Sequence, residues 1–348
     1  MRFEEQDVAD SAAIALGQLL QEAFRAHQAG DFPAAEAGYY AVLESVPNHP
    51  DALHLLGLIC KARGELGTAR KLIGHAIAVR PDMSAQHYNL GNVLVGEGDV
   101  QGAAAAYRAA VACQPDYAEA WYALGNQLRE LGELGESVAA FTQAVMVRPE
   151  YYEARHNLAN ALRETGDIIR SVRELQQVLQ QVPDLAEAHY NLALSLFSLN
   201  RYAEGWPHYE WRWQSKGFTS PHRTFSQPVW EGTPMPHGTL FVYAEQGLGD
   251  TLQFIRYLRL VRPLVGQLVV EVPPPLVQVL RAFRDVAVIV PQGSVLPPFD
   301  RQIALMSLPY RMGRVEAGGA YLKAEPARVQ RWATYLGTER RGLRVGVN

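Results

Sequence analysis

The chain has 348 residues, of which 48% are hydrophobic and 20% charged, an ordinary composition for a soluble protein with room for two domains. Its net charge of -4 gives no reason to expect a nucleic acid or an anionic membrane as partner. The first residues are acidic and no apolar run of about 18 residues occurs, so we expect no membrane insertion and a cytoplasmic location. Cys60 and Cys113 are expected to be packed thiols in a reducing compartment.

Prolines and glycines recur every 34 residues along the first part of the chain. The prolines are Pro47, Pro81, Pro115, Pro149 and Pro183, and the glycines are Gly30, Gly64, Gly98, Gly132 and Gly166. This period is typical of a solenoid of helix-turn-helix units. After a lead-in helix at 1–15, we place the units at 16–49, 50–83, 84–117, 118–151, 152–185 and 186–216.

Each unit has the residue types that two antiparallel helices need. A leucine and a small residue recur in the first helix as Leu56-Gly57, Leu90-Gly91, Leu124-Gly125, Leu158-Ala159 and Leu192-Ala193. The small residue lets a neighbouring helix approach closely, and the leucine fills the space beside it. These residues resemble the tetratricopeptide repeat family. The resemblance implies an α-solenoid over 16–216, whose first helices line a concave groove for a partner protein.

Asparagines recur on the predicted first helices, at Asn89, Asn92, Asn126, Asn157, Asn160 and Asn191. Such a ladder of amides could hydrogen-bond the backbone of an extended polypeptide without selecting its side chains. Alternatively, the amides bond between adjacent repeats and hold the stack together, and the sequence leaves both interpretations open. Nearby histidines and Trp121 are predicted to be packing or groove residues, since no group of His, Cys and carboxylates has the spacing of metal ligands.

The pattern changes after a proline-rich linker at 217–238. Short hydrophobic strands are predicted at 239–245, 268–272, 286–290 and around Gln302 to Leu305, with helices at 251–261 and 275–283. Strands that alternate with helices predict a parallel, doubly wound sheet within 239–348.

The loop at 245–251, with the sequence EQGLGDT, is the candidate site of this second part. Gly247 and Gly249 permit a tight turn at the carboxyl end of the first strand, where doubly wound sheets bind ligands. Free amides at the start of the next helix could hold an oxyanion, and Asp250 could accept a proton. The alternative is a tight turn in which Asp250 only caps the helix.

The run AEQGLGDTLQFIRYLRLV, preceded by PVWEG and followed by LVVEVPPPL and FDRQIALMSLP, resembles the first half of the glycosyltransferase-B domain in bacterial tetratricopeptide proteins related to heptosyltransferases. Repeats joined to a transferase are also similar to the O-linked N-acetylglucosamine transferases. The resemblance implies an α/β Rossmann-like half-domain in which Asp250 is the base that activates the acceptor hydroxyl. The residues that would shape the acceptor side are Gln246, Gly247, Leu248, Gly249 and Thr251.

The same resemblance implies a polypeptide acceptor on the repeats and a nucleotide sugar as the donor of the intact protein. In that fold the donor is held mainly by a second Rossmann-like half, and GLRVGVN at 342–348 is interpreted as its interrupted first strand. We therefore expect a truncated domain that binds no cofactor and no metal and is inactive alone. A different hypothesis is a non-catalytic adaptor for protein-protein interaction, with a degenerate transferase-like part.

Overall fold

The computed structural model of the protein describes residues 2–313, 321–322, 324 and 326–336. The chain divides into two compact units, and the division falls between Ala188 and His189. The segment 342–348, interpreted above as the start of another domain, lies outside the described residues.

Paired helices make up the first unit and the beginning of the second. They are α1 (Arg2–Gln28), α2 (Phe32–Ser45), α3 (Pro50–Ala62), α4 (Leu66–Val79), α5 (Ser84–Glu97), α6 (Val100–Cys113), α7 (Ala118–Glu130), α8 (Leu134–Val147), α9 (Tyr152–Glu164), α10 (Ile168–Gln181), α11 (Ala186–Ser198) and α12 (Tyr202–Tyr209). The pairs follow the predicted units. Residues 2–15 do not form a separate lead-in helix, because α1 continues through them without a break.

Glycine and aspartate shape the turn inside each pair. The five glycines of the 34-residue period have φ between 77° and 88°, and Asn200 takes their place in the sixth pair with φ 58°. A left-handed residue ends one helix and reverses the chain. Asp31, Asp99 and Asp167 then accept a hydrogen bond from the backbone N–H three residues later, which caps the second helix.

Close packing within a pair depends on the predicted small residues. A Cβ on Gly91 would lie 2.5 Å from a ring atom of Tyr107, and a Cβ on Gly125 would lie 2.7 Å from the ring of Phe141. Both rings are buried between the helices. Glycine is therefore required here by the close approach of an aromatic side chain.

The second unit contains a four-stranded parallel sheet in the order β3-β2-β1-β4. Its elements are β1 (Met235–Tyr243), α13 (Leu248–Phe254), α14 (Leu258–Val261), β2 (Val265–Val272), β3 (Val288–Pro291), β4 (Arg301–Ala304), α15 (Leu308–Met312) and α16 (Pro326–Leu336). The helix predicted at 275–283 is replaced by short 3-10 turns at Pro274–Leu276 and Val279–Phe283.

Both faces of the sheet are covered. Leu240 and Val242 of β1 face a core that includes Ile255, Leu258 and Val261, which follow α13 or belong to α14. Alternate residues of a strand point to opposite faces. Phe241 and Tyr243 accordingly pack with Trp213, Phe225 and Phe299 on the other face.

The proline-rich segment 217–238, predicted to be a linker, lies against this sheet. Trp230 is buried, its backbone N–H donates to Gln302 O at 2.8 Å, and its indole N–H donates to Thr233 O at 2.8 Å. Gln302 N–H in turn donates to Pro228 O, so residues 228–230 run beside β4 as a short parallel extension of the sheet. Its prolines fit this role because an edge segment does not need every backbone donor.

We find no helix in the described part of the chain that is both long and apolar enough to cross a membrane.

Candidate functional site

The partly exposed side chains of the first helices α1, α3, α5, α7 and α9 form the surface that we call the first-helix face. One position of each helix recurs there with the 34-residue period, as Phe24, Leu58, Asn92, Asn126 and Asn160. Since each of these helices packs in the same way, equivalent residues follow one another across successive repeats.

Some of the predicted asparagine ladder joins adjacent repeats. The side-chain amide of Asn89 lies 3.0 Å from His54 Nε2, and Asn157 Nδ2 donates to Asn126 Oδ1 at 2.9 Å. Each bond links the first helices of two neighbouring repeats. The alternative stated above, in which amides hold the stack together, therefore applies to these two pairs.

Other amide atoms of the ladder have no protein partner. Asn92 Oδ1 accepts from the Tyr107 hydroxyl at 2.8 Å within its own repeat, while its Nδ2 makes no hydrogen bond to a described residue. The Nδ2 of Asn126 likewise has no described partner. Asn160 Oδ1 is buried and unbonded among the described residues. Asn191, the last of the predicted set, lies on α11 in the second unit.

Ion pairs within repeats and between them neutralise charges on the helical pairs. Arg129 and Glu164 are 2.5 Å apart, Arg148 and Glu119 are 2.5 Å apart, and Arg80 and Asp51 are 3.1 Å apart. Each is partly exposed, so each contributes only about 0–1 kcal/mol to stability.

A different position of the first helix fixes the turn that precedes it. His87, Trp121 and Arg155 donate to the carbonyls of Pro81, Pro115 and Pro149 at 2.7, 2.8 and 3.1 Å. The three donors are chemically different, which is why residue type alone did not reveal their shared role. The signal in the sequence is their spacing of 34 residues. Across all described residues, no group of His, Cys, Asp and Glu could hold a metal ion.

The predicted loop 245–251 leaves the carboxyl end of β1, and α13 begins inside it at Leu248. The order of the strands reverses between β1 and β4, so the loop lies at the edge where doubly wound sheets bind ligands. Gly247, Leu248 and Gly249 are exposed, whereas Thr251 is buried and its hydroxyl donates to Gly247 O at 3.0 Å. Gln246 precedes them and is half-buried.

Asp250 is the third residue of α13 and is half-buried. Its carboxylate does not cap the helix, because the cap position is Gly247 and no side-chain cap bond is made. It also makes no ion pair or hydrogen bond to a described residue. Burial raises the pKa of the nearby Tyr209 hydroxyl, and the charges of Glu245 and Asp250 raise it further.

Sequence reasoning missed a buried polar network at the same edge of the sheet. The Arg212 side chain is 0% exposed, and it donates to Glu210 at 2.8 Å, to Glu245 at 3.1 Å and to the Ser307 hydroxyl at 2.8 Å. Glu245 follows β1, and Ser307 follows β4. The guanidinium therefore connects the 3-10 turn Glu210–Gln214 to the carboxyl ends of β1 and of its neighbour β4.

Glu245 is the most deeply buried acid of this network, with its side chain 2% exposed. It accepts a bond from the Met306 backbone N–H at 3.2 Å as well as from Arg212. Burial raises the pKa of the Glu245 carboxyl to about 7, against the opposing effect of the Arg212 charge. The stability that this carboxyl contributes is therefore present at low pH and is lost as the pH rises through about 7.

The sequence pattern of the tetratricopeptide repeat matches three overlapping stretches, residues 88–151, 122–168 and 156–209. They coincide with helical pairs from α5 to α12. The helical pairs within 88–209 are tetratricopeptide repeats. No curated protein matches the chain, and the comparisons give no evidence of a glycosyltransferase domain.

Three solved structures are similar to part of this chain. The MamA protein is 22% identical, with 49% of this chain and 94% of that chain covered and a TM-score of 0.44. YrrB, described as a TPR protein with an unusual peptide-binding site, is 18% identical over 52% and 92%, with a TM-score of 0.47. A tetratricopeptide repeat protein from Parabacteroides merdae is 19% identical over 57% and 79%, also with a TM-score of 0.47.

Proposed function

We propose that the first-helix face binds an extended segment of a partner polypeptide, so that the chain acts as a protein-interaction module. The row of Asn92, Asn126 and Asn160 carries this proposal. These amides occupy one position in three consecutive repeats, and each keeps a polar atom without a described protein partner. The free Nδ2 groups of Asn92 and Asn126 can donate to a guest backbone. Of the three atoms only Asn160 Oδ1 is buried, where a missing bond is costly.

The spacing of the row suits an extended backbone. Packed helices lie about 8–10 Å apart, and an extended chain rises about 3.3 Å per residue. Each repeat would therefore meet every third residue of the guest. The amide nitrogens of Asn92 and Asn126 would donate to guest carbonyls.

The charges near the row support recognition of the backbone. Arg129 already pairs with Glu164 of the next repeat, and Arg148 pairs with Glu119 of its own repeat. A guest need not carry a matching charge to approach these side chains. The amide groups of its backbone are then the main polar groups available for recognition.

Replacing Asn92 or Asn126 by alanine is expected to weaken peptide binding by about fivefold to tenfold each, because each change removes one hydrogen bond to the guest. The probe is a set of 12-residue peptides selected from a random library on the full chain, and fluorescence anisotropy gives the Kd. Asn48→Ala is the matched control, since Asn48 is exposed in the turn between α2 and α3. Unchanged affinity in a variant that carries both Asn92→Ala and Asn126→Ala would contradict the proposal. A library that yields no binder would contradict it as well.

A second candidate function is transfer of a sugar from a nucleotide donor to the bound polypeptide. It is favoured by one observation, the parallel order β3-β2-β1-β4 with the loop 245–251 at the point where the order reverses. In this hypothesis Asp250 is the base that takes the proton of the acceptor hydroxyl, and its carboxylate has no competing protein partner among the described residues. The residues from Gln246 to Thr251 would then shape the acceptor side.

In a preparation of the protein that transfers sugar, Asp250→Ala is expected to abolish transfer and to leave peptide affinity within about twofold. Transfer is followed by the mass of the selected peptide in the presence of a panel of nucleotide sugars. Asp285→Ala, at an exposed position of the same unit, is the control and should transfer normally. Undiminished turnover by Asp250→Ala would remove this residue from the role of base.

A further inference from the structure

The row that contains the asparagines changes character between the second and third repeats. The equivalent residues are Phe24 and Leu58 in the first two repeats, and Asn92, Asn126 and Asn160 in the next three. The neighbouring position on α3 is Leu55, whereas on α5 it is Asn89. One continuous row is thus apolar at its N-terminal end and amide-rich over the rest.

The apolar end is accessible. Phe24 is 40% exposed, and Leu55 and Leu58 are partly exposed at the edges of their hydrophobic clusters. Asp51 of the second repeat is paired with Arg80, so its carboxylate does not leave an unpaired negative charge on the second repeat. An apolar guest side chain would remove Phe24 and Leu58 from water, whereas a polar side chain would gain nothing there.

We propose that the polypeptide bound by the first-helix face carries apolar side chains at one end only. That end packs on Phe24, Leu55 and Leu58, and the remainder is held through its backbone by the asparagines. This inference rests on the proposed function and adds to it the chemical class of the partner. The occupant is an extended segment with leucine-like or phenylalanine-like residues at one end and no sequence preference at the other.

The dimensions give the length of the segment. Four steps separate Phe24 from Asn160, and about 8–10 Å for each step makes about 32–40 Å. An extended chain needs about 10–12 residues for this distance. At about three residues for each repeat, the apolar side chains should fall within four or five residues at one end.

The test is selection of a random 12-residue peptide library on the full chain, in parallel for the natural sequence and for the double variant Phe24→Ser/Leu58→Asn. We expect peptides selected on the natural sequence to be enriched in apolar residues at one end, and the enrichment to disappear on the double variant. Met146→Ser is the control, because Met146 is 68% exposed on the second helix α8. Thermal unfolding checks that Leu58→Asn leaves the repeats folded, and Phe24→Ser alone replaces the pair if it does not.

A matched pair of synthetic peptides makes the test quantitative. Changing the apolar residues of a selected peptide to alanine should weaken binding to the natural sequence by about tenfold or more, but by less than about twofold to the double variant. Peptides that bind without an apolar end, or an equal loss on both proteins, would overturn this inference and leave the proposed function intact. A library without any binder would overturn the proposed function itself.

Discussion

Replacement of Arg212 by methionine is expected to lower the free energy of unfolding of the second unit by about 3–5 kcal/mol. The guanidinium is fully buried, and its loss leaves the Glu245 carboxyl, with its side chain 2% exposed, without a positive partner. A buried charge that has lost its partner is far more costly than an exposed one. Because the pKa of Glu245 is already raised to about 7 by burial, the loss should be larger at pH 8 than at pH 5.

Denaturant unfolding followed by tryptophan fluorescence measures this loss, since every tryptophan except Trp121 lies after residue 188. Arg201→Met is the control, because Arg201 pairs with Glu204 on the surface and its side chain is 41% exposed. The control should change stability by less than about 0.5 kcal/mol. Adding Glu245→Gln to Arg212→Met should restore part of the loss. A deficit below about 1 kcal/mol for Arg212→Met would show that the network does not stabilise the sheet edge.

Replacement of Phe141 by alanine is expected to destabilise the repeats by about 3–5 kcal/mol. The ring is fully buried and packs against Leu158, Ala161 and Leu162 of the next first helix. It also fills the space above Gly125 of its own repeat. One side chain therefore connects α7, α8 and α9, and its removal leaves a cavity at both contacts.

Circular dichroism during thermal and denaturant unfolding checks this expectation. Met146→Ala on the same helix α8 is the matched control, because Met146 is 68% exposed. The control should stay within about 0.5 kcal/mol of the natural sequence. If both variants lost the same stability, the packing described for Phe141 would not be what holds neighbouring repeats together.

The repeats were predictable from the sequence because their period is repeated in several independent signals. Gly98 and its equivalents mark left-handed turns, Gly125 marks a close aromatic contact, and Pro149 and its equivalents follow the second helices. Equivalent positions serve the same purpose in successive units. Local propensity and packing therefore agree, and the sequence pattern alone identifies the helices.

The second unit was less predictable, because its contacts join distant parts of the chain. The strands were visible as short apolar runs, but the role of segment 217–238 depends on contacts such as that between Trp230 and Gln302. Arg212 meets Ser307, 95 residues away, and nothing periodic in the sequence announces this bond. Residues that contact each other across such distances leave no local signal.

For the candidate site, the sequence predicted which residues share a surface but not how their atoms are used. Asn89 and Asn157 look equivalent to Asn92 and Asn126 in the pattern. The Nδ2 groups of Asn89 and Asn157 nevertheless bond to a neighbouring repeat, whereas those of Asn92 and Asn126 have no described partner. The difference depends on small offsets along the helix and on the partner opposite, such as His54. The change from Leu58 to Asn92 was visible in the sequence. The structure adds that both side chains lie on the first-helix face, so one end of that face is apolar and the rest is rich in amides.

The most direct test of the account is hydrogen exchange measured by mass spectrometry on the full chain, with and without a peptide selected from the random library. The account predicts added protection in α1, α3, α5, α7 and α9, the helices of the first-helix face. The second helices α4, α6 and α8 should change little. Protection confined to those second helices or to the parallel sheet, with none in the first helices, would contradict the claim that this face binds an extended polypeptide.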